Sequence, residues 1–248
     1  MSLTHKALPT VTGFQAVDFG LAGRSQTFES PLTGTTQTVA LTGPRWRASY
    51  ETPPLKDANA RAWKAWIASL RGRAFAFYGH DPSFEGYAGL DALVVDAGAP
   101  TADSGIITAD SGAVTADAWA GPATIGSPVV REAGQTGAVL KTAGWTPSIV
   151  LKAGEYIGFD YSDGQGNTLR ALHMIETTIT VAASGFCNLT LIPPVRIAPA
   201  LDAPLYTTRP ACSMRLADDA GGRWEVDAGG FHRLRFEALQ VLVGEPAA

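Results

Sequence analysis

The segment from Gly43 to Asp81, GPRWRASYETPPLKDANARAWKAWIASLRGRAFAFYGHD, limits the possible folds more than any other part of this chain, because it sets a strand, a helix and a second strand in immediate succession. Pro44 to Tyr50 alternates with a period of two. Trp46, Ala48 and Tyr50 fall on one side and Arg45, Arg47 and Ser49 on the other, the pattern of a strand with one buried face. Pro53 and Pro54 end that strand. Asp57 is placed to cap a helix by accepting a bond from a free backbone N–H, and Ala62, Trp63, Trp66, Ile67 and Leu70 recur at three- and four-residue steps as one apolar stripe. Gly72 supplies the left-handed conformation that stops the helix, and Arg73 to Tyr78 returns to period two with Phe75 and Phe77 together. The helix is therefore expected to lie across a sheet, and the unit is a scaffold without a reaction centre.

A chain of 248 residues can bury a core without staples, as one large domain or as two small ones, and two compact units are the preferred reading. The 27 Gly and 16 Pro imply frequent turns, and with only 17% charged residues and period-two patterns they point to a mainly β fold. A net charge of -4 and a pI near 5.5 provide no cationic field for phosphates, so only a local basic patch would hold nucleic acid. The start, MSLTHKALPT, lacks the apolar core of a signal peptide, and no window approaches the ~20 apolar residues of a membrane span. The expectation is a chain made and kept in the cytosol until it assembles. Cys187 and Cys212 are far apart in apolar or strand-like contexts and read as reduced and buried rather than bridged.

Residues 1–121 read as the first part of a β-sandwich domain. Its opening forty residues, with breaks at Gly23, Gly34 and Gly43, suggest two or three short strands. Residues 91–120 form an Asp/Gly-rich insertion in which Thr-Ala-Asp recurs at 101, 108 and 115. Carboxylates and carbonyls are hard oxygen ligands, yet the glycine-rich nonapeptide period and the twelve-residue loop with a terminal Glu are both missing, so a loop or hairpin array is favoured over calcium binding. Residues 122–204 read as an inserted small β-barrel or sandwich, proline-marked at both ends. Residues 205–248 supply strands that return to complete the first domain, ending in a meander with Gly-Gly turns. In its last strand His232, Leu234, Phe236, Ala238 and Gln240 alternate with Arg233, Arg235, Glu237, Leu239 and Val241, a change of face that suggests a bulge or a second contact surface.

The order PRWR, PPL, aromatic helix, LRGRA, YG, DP resembles distal tail proteins and related minor tail proteins of long-tailed bacteriophages and prophages. SPVVREAGQTGAVLKTAGW (Ser127–Trp145), LKAGEYIGF (Leu151–Phe159) and LIPPVR (Leu191–Arg196) resemble the second half of the same family in the same order, so the resemblance covers most of the chain. It implies a structural virion protein without catalysis or cofactor. It further implies a ring of copies, six-fold, that seats on the tail tube protein and supports the tail-tip hub protein, assembled in the host cytoplasm and placed at the virion tail tip. Genomic DNA would meet such a ring only in transit through its lumen, and six copies at -4 would carry -24 in all, a field that would let DNA pass without sticking.

No residue constellation speaks for an enzyme. His5, His80, His173 and His232 are scattered without i,i+4 partners or Cys and acid company, so no metal site is expected. His80-Asp81 has no nucleophile near it, and Gly-Gln-Thr-Gly at 134–137 and Asp-Gly-Gln-Gly at 163–166 lead into no helix, so both read as hairpin tips. Trp63 and Trp66 share the helix stripe and read as core, where each contributes roughly 1.5 to 3 kcal/mol. Trp145, between Gly144 and Pro147, is the candidate exposed platform for a glycan. Arg45, Arg47, Arg71 and Arg73 flank the aromatic unit and are candidates for a subunit interface, where forked hydrogen bonds would reach a neighbour's carboxylates, or else a solvated face. The alternatives to a tail ring are a carbohydrate-binding module or accessory receptor-binding tail-tip protein, and a cell-envelope hydrolase, the last disfavoured by the missing acid pair or nucleophile.

Overall fold

The structure, a computed structural model, describes residues 3–9, 13–84, 86 and 126–242. The 91–120 insertion with its Thr-Ala-Asp repeat and the expected opening of the inserted unit at 122–125 lie outside the described residues. The protein is mainly β, with one helix among the described residues. The first part holds β1 (His5–Lys6), β2 (Ala16–Glu29), β3 (Thr36–Glu51), α1 (Asp57–Leu70) and β4 (Ala76–His80). The middle part follows with β5 (Gly126–Val130), β6 (Gly137–Trp145), β7 (Val150–Leu151), β8 (Tyr156–Ser162), β9 (Thr168–Ile175), β10 (Ile179–Thr180), β11 (Cys187–Val195) and β12 (Leu205–Tyr206). Last come β13 (Ala211–Leu216), β14 (Arg223–Val226) and β15 (His232–Gln240).

The first and last parts share one sheet, in the order β1-β4-β13-β15-β3-β2 with β14 also paired to β15. The middle part forms a second sheet in the order β12-β8-β9-β11-β6-β5. Its two ends meet: Val130 N–H donates to Ala203 O at 3.0 Å and Asp202 N–H donates to Val130 O at 2.9 Å, so the sheet curls into a nearly closed barrel. Closure removes the edges that an open six-stranded sheet would expose. Leu205–Tyr206 pairs with Phe159–Gly158, which puts these two residues in the barrel, and the return to the first sheet begins at Ala211 rather than at 205.

On β3 the alternation of Trp46, Ala48 and Tyr50 is realised as full burial, and α1 lays Ala60, Trp63, Trp66, Ile67 and Leu70 over that face. Asp57 does not cap the helix. The capping position is Lys56, extended at φ -127, and no side chain bonds there. At the other end Arg71 itself is left-handed at φ 49, followed by Gly72 at φ 64. A Cβ on Gly72 would stand 2.7 Å from Asp219 Oδ1, so the turn needs glycine for space as well as for conformation.

Phe236 of β15 is the hub of the aromatic core, with ring centroids of Tyr50 at 5.2 Å, Trp66 at 5.6 Å, Phe77 at 6.1 Å, and Trp63 and Phe14 at 6.2 Å. Packing outweighs polarity here. Trp66 Nε1 is buried without a hydrogen-bond partner, a cost of about 1–3 kcal/mol, against the similar gain of each aromatic ring buried around it. The second contact surface expected at the end of this segment is present: Val241, from the alternate set and just past β15, is buried in the barrel core. Leu234, Phe236, Ala238 and Gln240 all point inward, and the polar Gln240 is tolerated because its Oε1 accepts the Trp46 backbone N–H at 3.2 Å. Cys187 and Cys212 are free and buried in different cores.

The two sheets are joined by specific bonds. Trp46 Nε1 donates to Leu172 O at 2.6 Å, and Arg196 Nη2 donates to Pro44 O at 2.6 Å. Buried Ser213 of β13 accepts the Arg170 N–H of β9 at 2.9 Å and lies 2.8 Å from His5 Nε2, so the hydroxyl passes a hydrogen-bond chain from barrel to first sheet. Phe236→Ala is expected to lower stability by about 3–5 kcal/mol, as large-to-small changes of a packed aromatic do. Urea denaturation followed by tryptophan fluorescence measures it, and a loss below 1 kcal/mol would contradict the hub assignment.

Candidate functional site

β2 and β3 are far longer than the sheet they edge. Ala16–Ala22 pairs with Arg45–Glu51 inside the sheet, and Arg24–Glu29 then pairs with Thr36–Leu41 as a ribbon of its own. Between the two parts the register shifts, with Thr42, Gly43 and Pro44 on one strand against Gly23 alone on the other. The short strands expected in the first forty residues are thus one long hairpin, and its outer half is an arm. A four-residue turn seals the tip, where Gly34 N–H donates to Ser30 O and Ser30 N–H donates to Thr35 O, each at 2.9 Å. The arm is rich in Thr, which favours strands without supplying an apolar face. Its two large apolar residues near the tip are in solvent, Phe28 at 52% and Leu32 at 94% exposure. A two-stranded ribbon is marginally stable alone, and its unpaired edges are a template for pairing with another chain.

The four arginines do not form one patch. Arg45 and Arg47 sit on the outer face of β3, in a groove of about 350 Å³ with Ala22, Gly23, Ala217, Glu237 and Leu239. Arg47 Nη2 meets Glu237 Oε2 at 2.6 Å, but with both side chains about half exposed the pair contributes about 0–1 kcal/mol. Arg71 and Arg73 are used at the helix-to-β4 corner. Arg71 lies over the Phe75 ring at 5.7 Å, while Arg73 donates its backbone N–H to Asp219 Oδ1 at 3.1 Å and its guanidinium to Ala217 O. Ala217 therefore touches both sets.

Trp145 is no surface platform. It is 3% exposed, and its Nε1 donates to Thr142 Oγ1 at 2.7 Å inside the barrel. The reason is Gly144, whose φ of 82 shifts the alternation by one, so that Leu140 and Thr142 point inward and so does Trp145. Trp145→Ala is expected to cost the barrel about 3–5 kcal/mol in a thermal melt, without altering any contact made at the surface.

A second feature, invisible in the linear sequence, is an apolar cleft of about 310 Å³ where the barrel meets the root of the arm, lined by Pro44, Phe159, His173, Pro193, Pro194 and Ile197 among others. Its members come from five separate stretches of chain, so no local pattern announces it. His173 is buried, stacks on Phe159 at 5.0 Å, and donates Nδ1–H to Pro193 O at 2.6 Å, since a carbonyl only accepts. Burial lowers its pKa to about 4.

A dense polar cluster lies where Arg170 grips Asp160 through Nε at 2.7 Å and Nη2 at 3.2 Å, between the rings of Tyr78 and Tyr206. Tyr206 OH donates to Asp160 Oδ2 at 2.8 Å. Burial pushes the Asp160 carboxyl up, but the bonds from Arg170 and Tyr206 outweigh it and hold the group below the usual carboxylate range. Both carboxylate oxygens are engaged, so the cluster is a joint between elements and offers no poised base. Among the described residues no group of three or more His, Cys, Asp or Glu is placed to hold a metal ion, and no helix is long and apolar enough to cross a membrane.

Neither a family model nor a curated protein matches this chain. The functional reading accordingly rests on its own residues and geometry. The neutral His173 also makes stability depend on pH. Unfolded, the ring takes up a proton near 6.5; folded, it does so only near 4, so the unfolded state is favoured as pH falls through that window and stability drops by on the order of 3 kcal/mol. His173→Phe should flatten the slope of stability between pH 6.5 and 4, and an unchanged slope in urea titrations would contradict the buried neutral ring.

Proposed function

We propose that this chain is a structural ring protein of the distal tail of a long-tailed bacteriophage or prophage, seated on the tail tube and supporting the tail-tip hub. The arm is the observation that carries this reading. A ribbon with open edges and an exposed Leu at its tip is poorly suited to a solitary protein and well suited to reaching a neighbour. The rest of the molecule supports it by rigidity: a nearly closed barrel, an aromatic core around Phe236 and bonded joints between the sheets hold the arm root in one place. Repetition of one such contact by symmetry builds a closed particle, which is how a modest contact surface becomes a stable assembly. Arg45 and Arg47, on the outer face of the same strand that forms the arm, are placed to join the contact; Arg71 and Arg73 serve their own corner.

This reading needs no turnover, and DNA would touch the protein only while passing through the ring. The carbohydrate-binding alternative loses its named platform because the Trp145 ring faces the barrel interior. Native mass measurement of the purified chain tests the proposal. Six copies of a 25.9 kDa chain weigh about 155 kDa, and a particle near that mass supports it. Replacing residues 26–39 by a two-residue turn should leave thermal stability nearly unchanged and reduce the particle to a monomer. A chain that stays monomeric alone and together with tail tube and hub proteins would refute the ring.

A further inference from the structure

The arm carries an apolar knob, and the root of the same arm carries an apolar hole. Leu32 at the tip is 94% exposed, and Phe28 lies four residues before it. The 310 Å³ cleft includes Pro44, the residue at which the arm leaves the sheet. Knob and hole do not meet within one chain. From Ala22 to Glu29 the paired ribbon advances seven residues, roughly 25 Å at about 3.4 Å per residue, so the tip stands that far beyond its own cleft.

We propose that the arm tip of one copy docks in the cleft of the next copy, with Leu32 against Pro193, Pro194 and Phe159 and with Glu29 against Arg196. The charges agree with this occupant. Glu29 is the sole charged residue between Arg24 and Arg45, and Arg196 is the sole charged side chain of the cleft, whose histidine is neutral. Arg196 is exposed and spends Nη2 on Pro44 O, and a guanidinium has five N–H donors, so a forked bond to a carboxylate remains open to it. Docking also supplies what the ribbon lacks, a surface to pack against.

The geometry has a consequence for assembly. The knob and the hole are different surfaces, so the contact is head-to-tail, which builds a ring when the rotation between neighbours closes and an open filament when it does not. The inference rests on the ring reading and specifies how the ring is made. It places the joint at the cleft between barrel and sheet, so a change within the barrel would alter the angle between neighbours.

Cysteine cross-linking decides it. Cys187 and Cys212 are buried, so Leu32→Cys and Ile197→Cys introduce the accessible thiols. Mixing the two single variants under mild oxidation should give a linked dimer on a non-reducing gel, and the double variant should give a ladder ending at the ring size. The two sites of one chain are too far apart for an internal bridge, which requires Cα atoms within ~7 Å. Arg196→Glu should lower the assembled fraction about tenfold, and Glu29→Lys in the same chain should restore it. A particle that assembles without the cross-link, and is indifferent to Arg196→Glu, keeps the ring but assigns the cleft to another partner or ligand and overturns the docking. Failure to assemble under any condition overturns both.

Discussion

The packing of Trp63 and Trp66 onto Phe236 governs the architecture, because it ties a helix from the first third of the chain to a strand from its end. Once both are committed to one aromatic cluster, with Phe14, Tyr50 and Phe77 added from three other segments, the first and last parts must share a sheet. The residues between have to leave that sheet and come back, and they fold as a barrel whose ends close on each other. Each buried aromatic contributes roughly 1.5 to 3 kcal/mol, whereas the exposed Arg47–Glu237 pair contributes about 0–1, so apolar packing and not surface charge decides the arrangement.

The joint between the sheets settles what can be rigid and what can reach outward. Ser213, His5 and Arg170 form a satisfied chain across it, Trp46 is bonded to the Leu172 carbonyl, and Arg196 is bonded to Pro44 at the arm root. The arm therefore leaves from a point held by both sheets. Its outer half, in contrast, is bonded to itself, with residues 26–29 and 31–38 exposed to solvent. A stiff body with a marginal ribbon is the mechanical form of a protein whose partner completes its structure, and this is the physical content of the ring proposal.

Strands with one buried face were legible because period-two alternation survives in the sequence. Trp46, Ala48 and Tyr50 could be assigned to the core, as could the stripe from Trp63 to Leu70, and the mainly β class followed. Other features depended on contacts between distant residues. Lys56 rather than Asp57 opens the helix, Asp57 itself being left-handed at φ 49, and the inward Gln240 is satisfied by the Trp46 N–H from a distant strand. Trp145 looked exposed beside a glycine and a proline, but a single left-handed residue reverses which face a strand residue meets.

Sequence by itself determined the strand-helix-strand scaffold and the mainly β composition, since these follow from local periodicity and residue type. Only the tertiary structure decided that the first hairpin outgrows its sheet, that Arg45 and Arg47 stand apart from Arg71 and Arg73, and that a cleft opens beside Arg196. The reason is physical. Periodicity records which face of an element is buried, while the length of unpaired ribbon and the shape of a cleft depend on where other elements end, and that information is spread over residues far apart in the chain.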